Sequence, residues 1–170
     1  MPSKSNPVIL LRNLLSDDIS IISDWPSYQP CFNELDYALR KRGWLSEYFG
    51  KPDTKCYAAE HSGELIGFAI LSKTSETEAE FRIALKPDKT GSGYGRIITL
   101  MVFNDGFINM KINRIHLIVR KNNLMAIRLY KSIGFAERGK CIKEINGKHT
   151  AFLIMDIYYK QYCQKSKVEL

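Results

Sequence analysis

The chain has 170 residues, of which 45% are hydrophobic and 25% charged, and a formal net charge of +7. These values are typical of one globular domain and exclude a disordered chain. The longest apolar runs, Ile66–Leu71 and Ala151–Met155, are far shorter than the roughly 18 residues of a membrane span. The first residues also lack the apolar segment of a secretory signal. We therefore predict a cytoplasmic protein with no membrane partner, with residues 1–7 as a flexible tail, 8–159 as a single domain and 160–170 as a basic tail.

The charge is unevenly distributed along the chain. Residues 1–85 contain 9 Lys and Arg against 12 Asp and Glu, whereas residues 86–170 contain 16 against 6. A basic half favours a polyanionic partner, either nucleic acid or a phosphorylated cofactor. The four cysteines show no C-x-x-C pair and no histidines at zinc-ligand spacing, so we expect free, mostly buried thiols and no metal.

Two helices are expected first along the chain. One has Ser16 as its N-cap and ends before Trp25, and the other covers about Phe32–Phe49 with a break at Gly43. Alternating patterns then predict three strands, with a tight turn at His61-Ser62-Gly63 between the first two: Lys55–Glu60, Glu64–Leu71 and Glu78–Leu85.

The second half of the chain predicts two further helices and three further strands. The helix Tyr94–Asn109 is expected to bury Ile97, Leu100, Met101 and either Phe107 or Ile108. After it come a strand, a helix closed by Gly134, and two strands joined by the turn Asn146-Gly147: Arg114–Val119, Leu124–Ser132, Phe135–Arg138 and Thr150–Tyr158. The order predicts an α/β fold with a mixed, mostly antiparallel sheet of six or seven strands, in which the strands of Phe81 and Leu117 form a parallel pair.

The stretch TGSGYGR, Thr90–Arg96, stands between a predicted strand and a predicted helix. Glycines at this place expose backbone N–H groups at a helix N-terminus, where phosphate binds well. The spacing fits neither the P-loop, because no Lys-Ser or Lys-Thr follows, nor the dinucleotide fingerprint, because it reads G-x-G-x-G. A turn that merely links strand to helix is the alternative.

A second motif, KNNLMAIRLYKSIGF over Lys121–Phe135, follows the strand that ends in HLIVR. Together with PDKTGSGYG it resembles the Gcn5-related N-acetyltransferase (GNAT) superfamily, whose motifs are a (Q/R)-x-x-G-x-G/A loop and an N-x-x-A-[IV]-x-L-Y-x-x-x-G-F helix. The resemblance covers about Glu78–Asp156. Its layout is similar to the RimJ/RimL-like subgroup, which contains ribosomal-protein N-terminal and polyamine acetyltransferases. It implies a GNAT fold, with about four helices around a sheet whose central parallel pair splays apart.

The resemblance implies an acetyl-CoA site. In it the backbone of the loop wraps the pyrophosphate, the preceding strand pairs with the pantetheine amides, and Asn123 binds the pantetheine arm or caps the next helix. The loop residues are Thr90, Gly91, Ser92, Gly93, Tyr94, Gly95 and Arg96, and the strand residues are Ile83, Ala84 and Leu85. Thr90 stands where the family prefers Gln or Arg, so one phosphate contact is in doubt; Arg96 or Lys89 could compensate.

The resemblance also implies the chemistry of acetyl transfer. Tyr130 matches the tyrosine that acts as general acid at the thioester sulfur, and a packed aromatic is its alternative role. Glu80 is the family-like position of the general base, with Glu78 on the same strand face. His116, in an apolar strand, fits a hydrogen-bonded core histidine better than a catalytic one.

The acceptor is expected to be a primary amine, with a protein N-terminus as first choice and a polyamine, aminoglycoside or amino sugar as alternatives. Aromatic residues are frequent over Trp25–Phe49, and three acids there, Glu34, Asp36 and Glu47, could attract a cationic amine. A non-catalytic acyl-CoA sensor and a nucleic-acid-binding protein are competing functions, the latter supported by charge alone. A homodimer is compatible with the resemblance.

Overall fold

A computed structural model describes residues 5–168, so the ends of both predicted tails lie outside the described residues. Seven strands form one mixed sheet in the order β1-β2-β3-β4-β5-β7-β6. The strands are β1 Leu10–Asn13, β2 Thr54–His61, β3 Glu64–Lys73, β4 Glu78–Leu85, β5 Arg114–Arg120, β6 Ala136–Ile145 and β7 Lys148–Tyr158. The predicted α/β fold and strand number are confirmed, and β1 is the strand that no sequence pattern indicated.

The described residues also contain five α-helices: α1 Ser16–Ser23, α2 Trp44–Tyr48, α3 Tyr94–Asn104, α4 Leu124–Ile133 and α5 Tyr159–Val168. Short 3-10 segments cover Pro30–Leu39 and Pro87–Lys89, and a π-helical turn covers Asp105–Asn109. The break predicted at Gly43 is confirmed: a Cβ there would lie 2.0 Å from the Tyr37 carbonyl oxygen, so only glycine fits. The residues predicted as a basic C-terminal tail form α5 as far as they are described.

The chain divides into two compact units. The first holds residues up to Ser72 together with Arg82–Asp105, and the second holds Lys73–Phe81 together with the residues from Gly106 onward. Strand β4 therefore contributes its first half to the second unit and its second half to the first. That residues 8–159 form one folding domain stays a prediction.

In the first unit, β1 and β3 each pair with β2 in the antiparallel sense. The turn between β2 and β3 is confirmed, with positive φ at Ser62 and Gly63. Helix α1 differs by one residue from its prediction, because Leu15 rather than Ser16 is the N-cap. The Leu15 backbone N–H donates to the Asp18 carboxylate at 2.7 Å. An acid in the first turn of the helix thus provides the acceptor for the backbone N–H of the N-cap residue.

The buried face of α3 differs from the prediction. Ile97, Leu100 and Met101 are only half-buried, and Ile108 is 41% exposed. The buried residues of α3 are instead Ile98, Thr99, Val102 and Phe103, whereas the predicted burial of Phe107, in the π-helical turn that follows, is confirmed. The sequence of this helix is apolar on nearly every side, so helical periodicity alone cannot select the inward face.

In the second unit, β4 runs parallel to β5 with Glu78 opposite Arg114, which confirms the predicted parallel pair. Strand β7 pairs antiparallel with β5 on one side and β6 on the other. The turn at Asn146 and Gly147 has φ of 50° and 77°, as a two-residue hairpin turn requires. Both hairpin strands are longer than predicted, because charged, exposed residues of β6 hide its alternation.

The four cysteines are free, as predicted, but only Cys56 is buried. Burial raises the pKa of the Cys56 thiol to about 11. The expectation of mostly buried thiols is wrong, because Cys31 lies on the exposed 3-10 segment and Cys141 on the poorly covered strand β6. None of the described helices is long and apolar enough to cross a membrane.

Candidate active site

The glycine turn lies in the first unit, between β4 and α3. It follows the 3-10 turn Pro87–Lys89, and Gly93 is the N-cap of α3. Gly91 and Gly93 have φ of 75° and 86°, which residues with a Cβ adopt only with strain. A Cβ built on either glycine would meet no heavy atom within 4 Å. These glycines thus serve the backbone conformation and leave open space in front of it.

The first amides of α3 are the groups that this turn presents. The first four N–H groups of a helix lack a carbonyl partner inside the helix, and the helix dipole adds positive partial charge there. Tyr94, Gly95 and Arg96 form the first turn of a helix of 11 residues. The turn can therefore hold an anion with backbone groups alone, and the residues present fit a diphosphate.

The side chains beside the turn are already engaged. The Thr90 hydroxyl donates to the Pro87 carbonyl at 3.1 Å, and since it has one hydrogen, it cannot donate to a phosphate in this arrangement. Lys86 and Lys89 lie 2.6 and 3.2 Å from the Glu64 carboxylate and hold the pKa of Glu64 below its usual value. Glu64 thus balances the charge of Lys89, the residue expected to compensate for Thr90 at the position where the family prefers Gln or Arg.

The end of β4 is fixed from two sides within the first unit. The Tyr28 hydroxyl donates to the Leu85 carbonyl at 2.5 Å. Gly67 of β3 lies so close that a Cβ there would be 2.9 Å from the Leu85 side chain and 3.1 Å from the Ala84 carbonyl oxygen. The Leu85 carbonyl, expected to meet pantetheine, therefore already accepts one hydrogen bond and keeps one lone pair. Burial raises the pKa of Tyr28, so its phenol stays a donor.

In the second unit, α4 carries Asn123 and Tyr130. The Asn123 side chain accepts from the Ala126 amide at 3.3 Å, which confirms its alternative role as helix cap. Tyr130 is 7% exposed, and its ring meets the rings of Phe81 and Phe135 at centroid distances of 6.4 and 5.5 Å. Its hydroxyl makes no hydrogen bond to any residue that the structure describes. Burial raises the pKa of Tyr130.

Glu80 lies on the other face of β4 from Phe81. Ala79 and Phe81 are buried, whereas Glu78 and Glu80 are half-exposed, as strand alternation requires. Since Phe81 contacts Tyr130, the predicted acid and the predicted base lie on opposite faces of this strand. Glu78 forms an ion pair of 3.4 Å with Arg114, so it is engaged in the sheet.

A polar row that the sequence did not indicate continues from Glu80. Glu80 is opposite His116 in β5, and His116 is opposite Asp156 in β7. The Nε2 atom of His116 is 2.9 Å from the Thr74 hydroxyl oxygen. Polar residues alternate with apolar ones in each of these strands, and this pattern is visible in the sequence. Which polar residues are opposite each other depends on the strand register, which sequence alone does not supply.

The aromatic stretch expected at the acceptor contributes mainly to the core of the first unit. Trp25 and Tyr28 are buried, and Trp44 and Tyr48 pack against that core while both rings face the Arg82 guanidinium. Of the three acids expected to attract an amine, Asp36 is paired with Arg40 at 2.6 Å, whereas Glu34 and Glu47 are exposed.

The predicted site residues thus fall into two groups, and each group is described within its own unit. The first unit holds Ile83, Ala84, Leu85, Thr90, Gly91, Ser92, Gly93, Tyr94, Gly95 and Arg96, and the second holds Glu80, Asn123 and Tyr130. Among the residues described, no three His, Cys, Asp or Glu side chains are grouped so as to hold a metal ion.

The family model described as "Acetyltransferase (GNAT) family" matches residues 21–135, more than half of the chain. The chain belongs to the GNAT acetyltransferase family. This confirms the family resemblance of the two motifs and, with it, the GNAT fold with the parallel pair β4–β5. The match extends well before Glu78, where the motifs alone indicated no relation.

Within the GNAT family, the chain is similar to spermidine N(1)-acetyltransferases of known sequence. It is 30% identical to the Escherichia coli K12 protein over 115 residues, 65% of this chain and 62% of that protein. It is 31% identical to the Vibrio cholerae protein over 107 residues, 61% of this chain and 62% of that protein. The chain therefore spans about 62% of the length of these curated relatives.

A solved structure extends the GNAT likeness to nearly the whole chain. It is the spermidine/spermine N-acetyltransferase SpeG from Vibrio cholerae in complex with manganese ions, with a TM-score of 0.73 and 25% identity. The match covers 93% of this chain and 96% of that one.

Proposed function

We propose that this chain transfers an acetyl group from acetyl-CoA to a primary amine of a polyamine, by direct attack in a ternary complex. Family membership supports acetyl transfer as the reaction, and the similarity to spermidine N(1)-acetyltransferases supports a polyamine as the acceptor. The sequence alone favoured a protein N-terminus, with a polyamine as alternative; the relatives reverse that order. Membership in the RimJ/RimL-like subgroup, which also holds polyamine acetyltransferases, is part of this proposal.

For the donor, we propose that Gly91, Gly93 and Gly95 bring the first amides of α3 to the diphosphate of acetyl-CoA. The positive φ values and the open space in front of the first two glycines support this role. The second half of β4, Ile83–Leu85, offers backbone groups to pantetheine. Tyr28 supports that end of the strand by holding the Leu85 carbonyl.

For the chemistry, we propose that Tyr130 donates a proton to the departing thiolate. A tyrosine phenol has an ordinary pKa of about 10 and burial raises the pKa of Tyr130, so the hydroxyl carries its proton at neutral pH. Its hydroxyl has no hydrogen-bond partner among the described residues, so donation to a substrate breaks no bond inside the protein. A pure acyl-CoA sensor would need no such donor.

For the acceptor, the charge distribution supports a polycation. Residues 1–85 contain more acids than bases, whereas the basic excess lies in residues 86–170. An acidic region attracts a cationic amine, and a basic region favours the phosphates of the donor. A cytoplasmic location and a homodimer stay predictions.

The test is an assay of thiol release with acetyl-CoA and a panel of acceptors: spermidine, a peptide with a free N-terminus, an aminoglycoside and an amino sugar. We expect turnover with spermidine and little with the peptide. Turnover with the peptide alone would restore the first choice of acceptor. Calorimetric binding of acetyl-CoA without turnover on any acceptor would favour the sensor.

A further inference from the structure

The polar row Glu80–His116–Asp156 crosses three adjacent strands of the second unit. Residues directly opposite each other on neighbouring strands point to the same face of a sheet and lie about 5 Å apart. An imidazole therefore stands between two carboxylates. The face that carries it is half-exposed at Glu80 and His116, so small molecules can reach this part of the sheet.

The two carboxylates differ in what they can do. Asp156 is 3% exposed and accepts from Arg114 Nε at 2.9 Å and from Arg138 Nε at 2.8 Å. Two guanidinium groups thus balance its charge, and its function is to hold the strands. Glu80 is the half-exposed acid of the row and the one beside His116 on the open side.

The environment of His116 keeps it neutral near pH 7. Burial lowers its pKa below the usual value and Arg114 adds to this, while Glu80, Glu78 and Asp156 act in the opposite direction. Thr74 fixes the ring through Nε2. In the tautomer whose Nε2–H donates to the Thr74 hydroxyl, the lone pair is on Nδ1, where it can accept a proton.

A polyamine acceptor needs such a group. An alkylammonium has a pKa of about 10.4, so at pH 7 fewer than about one amine in a thousand is free to attack. A protein N-terminus, with a pKa of about 7.7–8.0, is free in roughly a tenth of its molecules and needs a base far less. The choice of a polyamine therefore calls for a base that is unprotonated at pH 7 and open to solvent.

We propose that His116 is the base that deprotonates the acceptor ammonium, with Thr74 as the residue that positions its ring and Glu80 stabilising the imidazolium. This assignment rests on the proposed function. It replaces Glu80, the base that the family resemblance implied, with its neighbour.

The protons balance in the proposed step. Nδ1 of His116 takes one proton from R–NH3+, and the free amine attacks the thioester carbon. The C–N bond forms, the C–S bond breaks and the electron pair goes to sulfur. Tyr130 protonates the thiolate and is reprotonated from water, while the second proton of the attacking nitrogen and the proton on the imidazolium both leave to water. The net change is R–NH3+ and acetyl-CoA to the N-acetyl amine, CoA thiol and one H+.

The experiment compares the pH profile of kcat/KM for spermidine in wild type, His116→Gln, Glu80→Gln and the exposed-histidine control His149→Gln. Wild type and the control should show an acidic limb with a midpoint below about 6.5, which matches the NMR titration of the His116 ring. His116→Gln should lose that limb and about 100-fold or more in kcat. Glu80→Gln should keep the limb at lower pH, because an anion that favours the imidazolium is gone.

Thr74 provides a second test that does not remove the imidazole. Thr74→Ser keeps the hydroxyl and should keep the wild-type profile. Thr74→Val should lower kcat and move the limb to lower pH, because the imidazolium loses an acceptor for its Nε2–H. Equal profiles for both variants would contradict the positioning role.

Two failures can be told apart. If wild type acetylates spermidine but His116→Gln retains the acidic limb while Glu80→Gln abolishes it, Glu80 is the base and the inference is wrong. If folded wild type acetylates none of the amines, the proposed function itself fails and the inference falls with it.

Discussion

Replacing Tyr130 by Phe removes one hydroxyl from the proposed reaction and changes little else. The ring contacts with Phe81 and Phe135 need only the aromatic ring, which Phe retains. The hydroxyl has no hydrogen bond to the described residues, so its loss leaves none of their groups unsatisfied. We expect the free energy of unfolding to change by less than about 0.5 kcal/mol.

The effect on turnover should be large. A general acid contributes about 10²- to 10⁴-fold, which corresponds to about 2.7–5.4 kcal/mol of transition-state stabilisation. Tyr130→Phe should lower kcat by that factor in the thiol-release assay and leave the Kd for acetyl-CoA, measured by calorimetry, unchanged. Wild-type kcat in a folded variant would refute the role of the hydroxyl as acid.

Tyr57 offers a matched control in the first unit. It is also a buried tyrosine, but its hydroxyl donates to the Asp105 carboxylate at 2.7 Å. Tyr57→Phe should therefore cost about 1–3 kcal/mol of stability, as loss of a hydrogen bond to a charged group does, and leave kcat near wild type. The two variants should show opposite patterns in urea unfolding and in turnover.

Three further predictions concern backbone, charge and pH. Gly93→Ala should raise the Kd for acetyl-CoA by about 5- to 30-fold, because positive φ costs a residue with a Cβ about 1–2 kcal/mol, whereas Gly147→Ala, with a similar φ in the β6–β7 turn, should leave that Kd unchanged. Asp156→Asn should destabilise by about 2–4 kcal/mol in urea, since two guanidinium groups lose their counter-ion; a loss below about 0.5 kcal/mol would contradict this. The hydrogen bonds from Arg12 hold the pKa of Asp18 below its unfolded value. The ionised carboxylate therefore stabilises the fold above about pH 4, and this stabilisation is lost as the pH falls through the folded pKa. The difference in unfolding free energy between wild type and Asp18→Asn should become smaller from pH 7 to pH 3.

Short sequence patterns were sufficient to predict the elements whose defining residues are close together in the sequence. Strand β4 was predicted with its observed bounds, and the glycine turn, the cap at Asn123 and the closing Gly134 each follow from residues within a few positions. Turn residues and caps act on their own neighbourhood, so the sequence contains the information directly.

Features that depend on tertiary packing were not accessible in this way. The buried face of α3 could not be chosen, because Ile97 and Ile98 are equally apolar and only the neighbouring strands decide between them. The engagement of the Thr90 hydroxyl with Pro87 and of Lys89 with Glu64 depends on how the turn closes. The row through His116 depends on the register of three strands that are far apart in sequence.

The most direct test of the central claim is a competition between acceptors in one reaction. The protein is given acetyl-CoA with equal concentrations of spermidine and a peptide with a free N-terminus, and both products are followed by mass spectrometry. We predict that acetylated spermidine forms first and that Tyr130→Phe strongly slows its formation. Acetylated peptide with unmodified spermidine, or no product from a protein that binds acetyl-CoA, would contradict it.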